Sequence, residues 1–207
     1  MSDADLDPSG RDRPRWFTAT GEGHSQWYVD RFRALAAEGA DLEGEARLVD
    51  AMAGRGSRVL DAGCGAGRLA GALHSRGHDV VGVDVDPVLV EAARTDHPGP
   101  RFHVADLSTL SLDEDPFDVV VSAGNVMVFL APGTERAVLE RLRDHTRPGG
   151  RLVLGFRRQP DVYSYDQLDR DAAGVGLVLE HRFGTWHLDP FTQESDFAVS
   201  VLRVPGS

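Results

Sequence analysis

Three glycines at alternate positions, Gly63, Gly65 and Gly67, join two apolar runs: Val59-Leu60-Asp61-Ala62 before them and, after a helical pattern, Val80-Val81-Gly82-Val83, which ends in Asp84. A buried strand, a turn poor in side chains, a helix and a second buried strand make a unit whose strand ends can carry an adenosine-type ligand. Such a turn has to bring backbone close to the ligand while it opens a helix, so side chains at the three glycines are expected to obstruct it.

From Arg58 onward strand and helix alternate, which predicts a parallel sheet covered on both faces. Strands are expected over Arg58–Ala62, Asp79–Asp84, Arg101–Ala105, Phe117–Ser122 and Arg151–Phe156. Helices begin near Gly67, Pro87 and Pro132; Asp86-Pro87 is a start signal, with a capping carboxylate and a proline whose missing N–H costs nothing there. Pro148-Gly149-Gly150 is read as the stop of the fourth helix and the turn into the fifth strand. A short helix over Ser164–Ala173 follows. Leu177–Thr185 and Asp196–Val204, with no helical repeat between them, are expected to pair as an antiparallel hairpin.

Upstream, Trp27, Tyr28, Phe32, Leu35 and Ala36 recur at helical spacing over Ser25–Glu38, and Leu42, Ala46, Val49 and Met52 do so over Leu42–Met52. Residues 1–15 are polar, with almost no apolar anchor, and read as a disordered tail. At 207 residues without an internal repeat or linker, the rest suits a single domain.

A net charge of −11 without a basic cluster argues against a phosphate-driven grip on nucleic acid. Cys64 is the only cysteine, so no intrachain disulfide forms, and the eight histidines show no close pair on a helix face, so no metal site is expected. No apolar run is long enough for a bilayer, and Met1–Asp7 lacks the basic-then-apolar order of a secretory signal, so a cytoplasmic protein is expected.

The glycine turn departs from the dinucleotide fingerprint: the third glycine comes one residue early and Arg68 stands where it would fall. Asp61, at the end of the first strand, is an awkward neighbour for a pyrophosphate and a good one for an ammonium group. Asp84 can accept both hydroxyls of a ribose. Asp106, in Val104-Ala105-Asp106-Leu107, can accept from an exocyclic adenine amine while Leu107 covers the ring. Three acidic strand ends thus address three parts of one molecule.

In these stretches the chain resembles the class I S-adenosylmethionine-dependent methyltransferases, over roughly residues 25–204. Val59–Gly67 is similar to the family's first motif, Val81–Asp84 to its ribose-binding strand end and Ala105-Asp106-Leu107 to its adenine contact. Phe117–Ser122 is similar to its fourth-strand motif, and Arg147-Pro148-Gly149-Gly150-Arg151-Leu152 to the turn before its fifth strand. The resemblance implies a single Rossmann-like three-layer α/β domain over 16–207. Its seven-stranded, mostly parallel sheet has the order 3-2-1-4-5-7-6 with an antiparallel last strand, and residues 16–56 form a helical lid on a core of 57–207. It also implies S-adenosylmethionine as methyl donor. The expected cofactor set is Tyr28, Asp61, Gly63, Cys64, Gly65, Gly67, Asp84, Val85, Ala105, Asp106, Leu107, Ala123 and Asn125. Within it Cys64 is a small buried residue rather than a nucleophile, and Asn125 serves cofactor or acceptor. Arg68, on the first turn of its helix, is expected to be solvated.

Methyl transfer from a sulfonium needs positioning more than covalent help, and a base only where the acceptor must lose a proton. Base candidates are His24 and His187, with Tyr28 and Asp189 as weaker choices. The acceptor pocket is expected from three segments: the aromatic N-terminal region (Trp16, Phe17, His24, Trp27, Tyr28), Ala123–Phe129, and a hairpin tip bearing Trp186, His187, Asp189 and Phe191. Without a large insertion after the fifth strand, the expectation is a small-molecule acceptor, no nucleic-acid or membrane partner, and a monomer or homodimer. Two alternatives stand beside it: a cofactor-binding module without turnover, and an NAD-dependent dehydrogenase.

Overall fold

The structure, a computed structural model, describes residues 12–159 and 161–206. Seven strands form one sheet in the order β3-β2-β1-β4-β5-β7-β6: β1 (Arg58–Ala62), β2 (Asp79–Asp84), β3 (Arg101–Val104), β4 (Phe117–Ser122), β5 (Thr146–Arg157), β6 (Val178–Phe183) and β7 (Phe197–Arg203). The first five run parallel, and β7 pairs antiparallel with both β5 and β6.

Burial of both faces follows from strict alternation. Leu60, Val81, Val120, Leu152 and Leu154 face one core, whereas their neighbours Val59, Val80, Val121 and Val153 face the other. All of these side chains are buried, each stabilising the fold by about 1.5–3 kcal/mol relative to exposure.

Among the described residues, eight helices surround the sheet: α1 (Arg15–Thr18), α2 (His24–Ala37), α3 (Gly44–Met52), α4 (Arg68–Ser75), α5 (Pro87–Asp96), α6 (Val126–Phe129), α7 (Glu135–Asp144) and α8 (Tyr165–Gly174). Asp86 caps α5 as its sequence signal predicts, accepting from the Val88 amide at 2.9 Å. Strand order reverses between β1 and β4, and the carboxyl ends of these strands open the crevice where ligands of such sheets bind.

Several expectations are corrected. The Pro148-Gly149-Gly150 segment lies inside β5, not before it: α7 already ends at Asp144, and the register shifts between Phe117 and Val119 so that β4 passes this irregular stretch. Two short helices, α1 and α6, and a 3₁₀ turn at Leu107–Thr109 were not expected; each is too short to show a period. Of the segment read as a disordered tail, residues 1–11 lie outside the described residues, while Asp12, Arg13 and Pro14 are half-buried and Arg15 opens α1.

Candidate active site

The turn after β1 is built on backbone. The amides of Gly63 and Cys64 both donate to the Val83 carbonyl, at 2.7 and 2.9 Å, which ties the turn to β2. Gly63 has φ +83°, and a Cβ there would lie 2.8 Å from Val126 Cγ1. Gly67 has φ +80°, and its Cβ would fall 2.8 Å from Ala93 Cβ and 2.9 Å from the Phe102 ring. The glycines are therefore required by the protein's own packing of α5, α6 and β3 around the turn, a demand distinct from the expected clearance for a ligand.

Three carboxylates end up at the crevice in different states. Asp61 is 1% exposed, and its Oδ2 has no hydrogen-bond partner. Burial pushes its pKa up to about 7 against the pull of Arg68. Asp84 accepts from the Gly65 amide on Oδ2 (2.8 Å) and from the Asp86 amide on Oδ1 (2.9 Å), which fixes its rotamer; burial raises its pKa to about 6. Asp106 caps the 3₁₀ turn, its Oδ1 accepting from the Ser108 amide and hydroxyl at 2.8 and 2.7 Å.

Two adjoining cavities open over these groups. The larger is lined by Asp84, Val85, Asp106 and Leu107 and by Trp16, Val126, Phe129 and Leu130. The smaller is lined by Asp61, Cys64 and Arg68. Tyr28, Gly63, Ala123 and Gly124 line both. Tyr28 reaches the turn from α2, its ring 3.4 Å from where a Gly65 Cβ would stand, and burial pushes its pKa up to about 12. Its ring meets Trp16 edge-on at 5.6 Å, as Phe129 does from the other side at 5.6 Å.

The structure gathers Tyr28, Asp61, Gly63, Cys64, Gly65, Asp84, Val85, Asp106, Leu107 and Ala123 around the two cavities. Gly67 and Ala105 lie just behind, in the turn and beneath Asp84, where the Ala105 amide donates to the Asp84 carbonyl at 3.0 Å. Cys64 is buried, which raises its thiol pKa and suits packing, not attack.

Asn125 is turned away: its Oδ1 accepts from the Arg157 amide at 2.7 Å, and its φ of 68° helps place α6. His24 stacks on Trp27 and meets Trp16 edge-on at 4.9 Å, behind the cavity wall. His187 is not brought to the crevice either. The hairpin tip folds onto α3, so that His187 and Trp186 line a separate surface groove with Asp41, Gly44 and Arg47, while Phe191 packs on Tyr165. Asp189 holds the Thr185 hydroxyl at 2.6 Å.

Sequence reasoning missed two residues. Arg68 is not solvated: it forms paired bonds to Glu45 at 2.7 and 3.0 Å, donates to the Leu42 carbonyl, and covers the Phe32 ring at 5.5 Å. Asp86, read only as a cap, is 1% exposed and also accepts from the Trp16 indole at 2.7 Å and from the Ser25 hydroxyl. Both partnerships span distant segments, and no local pattern announces them.

This donor and acceptor set fits a molecule with an ammonium group, a diol and an apolar ring. A buried carboxylate at the turn with one oxygen unpartnered suits a cation and disfavours a pyrophosphate. No helix among the described residues is long and apolar enough to cross a membrane.

Residues 59–150 match the family described as "Methyltransferase domain". A crystal structure of a TehB-like SAM-dependent methyltransferase from Corynebacterium glutamicum aligns with a TM-score of 0.83 at 46% identity, covering 88% of this chain and 98% of that one. Magnesium-protoporphyrin O-methyltransferase of Rhodobacter capsulatus is 35% identical over 120 residues, 54% of this chain and 52% of the relative. Malonyl-[acyl-carrier protein] O-methyltransferase of Pectobacterium atrosepticum is 33% identical over 139 residues, 67% of this chain and 51% of the relative. The chain spans about half the length of these two curated relatives.

Proposed function

This chain belongs to the class I S-adenosylmethionine-dependent methyltransferases, and on that premise we propose that it transfers a methyl group to a small-molecule acceptor held beneath its N-terminal helices. The membership removes the dehydrogenase alternative. The acceptor assignment is carried by one observation: the cavity that holds Asp84 and Asp106 is also walled by Trp16, Tyr28 and Phe129. That lining is of the kind small-ligand sites have, apolar with a few placed polar groups.

When bound, the cofactor supplies a methyl group already activated on a sulfonium. The protein's own residues then bind and align. Asp84, oriented by two backbone amides, accepts the ribose hydroxyls; Asp106 accepts from the adenine amine; Val85 and Leu107 cover the ring. In the smaller cavity Asp61 faces the ammonium and Arg68 the carboxylate of the amino-acid end. Helices α1 and α2 act as a lid, excluding water from the acceptor side.

Among the described residues, the ionisable groups lining the larger cavity are Tyr28, Asp84 and Asp106. Tyr28, with its pKa near 12, keeps its proton at neutral pH and donates; the two carboxylates serve the nucleoside. Alignment is the main catalytic device in this reading, worth roughly 7–11 kcal/mol when reacting groups are well held. His24 and His187 have no part in this reading.

Incubation with S-adenosylmethionine labelled in the methyl group and a metabolite extract is expected to place label in the small-molecule fraction. Label in protein or nucleic acid would overturn the acceptor class. Cofactor binding without any transfer would favour the binding module.

A further inference from the structure

A helix cap does not explain Asp86. Serine, threonine or asparagine would serve the Val88 amide equally well, and that task occupies only Oδ1. What a cap leaves unexplained is Oδ2, which accepts from two donors at once, the Trp16 indole at 2.7 Å and the Ser25 hydroxyl. An asparagine would turn an N–H₂ toward two groups that can themselves donate.

The two donors stand on α1 and α2, on either side of the connection between them, so a single oxygen pins both helices. Around it the remaining parts interlock. Trp16 is the edge-on partner of both Tyr28 and Phe129, and all three line the larger cavity. Arg15, next to it, donates from its amide and its guanidinium to the Leu130 carbonyl at 3.4 and 3.1 Å and pairs with buried Glu135. On the other side, the Asp86 amide donates to Asp84 Oδ1 at 2.9 Å. One short segment therefore carries the carboxylate assigned to the ribose and, two residues on, the carboxylate that holds the roof.

We propose that Asp86 is a positioning residue, a latch that holds α1 and α2 closed over the crevice and thereby sets how fast the cofactor leaves. This rests on reading those helices as a lid and the crevice as the cofactor site. Asp86 is not among the residues lining either cavity. It acts through Trp16 and Ser25 on the walls, and through its amide on Asp84.

The test compares wild type with Asp86→Asn, which keeps the α5 cap, and with Trp16→Phe, which keeps the ring but removes the donor. Two quantities are read: the dissociation rate of S-adenosylhomocysteine, and amide hydrogen exchange with and without it. The latch predicts dissociation faster by about tenfold or more in both variants, as expected for loss of a bond to a charged group. It also predicts faster exchange across α1 and α2 while α5 stays protected. Unchanged dissociation in both variants, or altered exchange confined to α5, would reduce Asp86 to a cap and overturn the proposal. Should wild type itself not bind S-adenosylhomocysteine, the cofactor reading fails separately. The latch is then decided on ligand-free protein, where faster α1–α2 exchange in Asp86→Asn upholds it and unchanged exchange overturns it.

Discussion

Asp61 and Asp84 hold their protons more tightly in the fold than in the unfolded chain, because burial penalises the charged form. Over the interval between the ordinary carboxylate range and their raised values, the folded protein binds more protons than the unfolded one. The contribution of these two carboxyls to the stability of the ligand-free protein therefore falls as pH rises from about 4 to about 7. An ammonium group beside Asp61 reverses the preference, so affinity for S-adenosylhomocysteine is expected to improve as pH rises through that same window and level off above it. Calorimetry at a series of pH values checks this; Asp61→Asn should flatten the dependence, and an unchanged slope in that variant would assign the proton elsewhere. The roles suggested for Asp61, Asp84 and Asp106 could be read from the sequence because each closes a recognisable strand, so spacing alone places it at the crevice. Arg68 and Asp86 could not, since Glu45, Trp16 and Ser25 reach them from segments whose approach only the folded chain reveals.

Among the elements, the turn and α6 are the most tightly coupled. Gly63 combines a positive φ with Val126 packed where its Cβ would stand. Gly63→Ala should cost about 2–4 kcal/mol in urea denaturation, from backbone strain plus overpacking. Adding Val126→Ala should recover part of that loss, whereas fully additive effects would show that the contact is not the cause. Sequence reasoning had placed the helix after β1, both central strands and the closing hairpin, because apolar runs and glycine or proline signals delimit them. It misplaced Pro148-Gly149-Gly150, since a bulge inside a strand and a turn before one use the same residues. The four-residue α6 carries no period to detect. The hairpin tip was assigned to the crevice because Trp186 and His187 look like site residues; in the fold the Trp186 ring packs over Gly155 and His187 lies against Gly44.

Taken whole, the molecule is a two-faced, mostly parallel sheet whose reversed strand order opens a crevice, roofed by helices that precede the sheet in the chain. Cofactor binding should stabilise it as a unit. At a concentration one hundred times the dissociation constant, S-adenosylhomocysteine contributes about 2.7 kcal/mol, a rise in Tm of about 5–10 °C for a chain of this size. NADH at equal concentration should leave Tm unchanged. The most direct trial of the account is a calorimetric titration of wild type and Asp84→Ala with S-adenosylhomocysteine. Saturable one-to-one binding, weakened about tenfold or more when the two ribose hydroxyls lose their charged acceptor, is the expected result. Well-folded wild type that gives no binding heat, or an Asp84→Ala variant that binds as tightly as wild type, would contradict it.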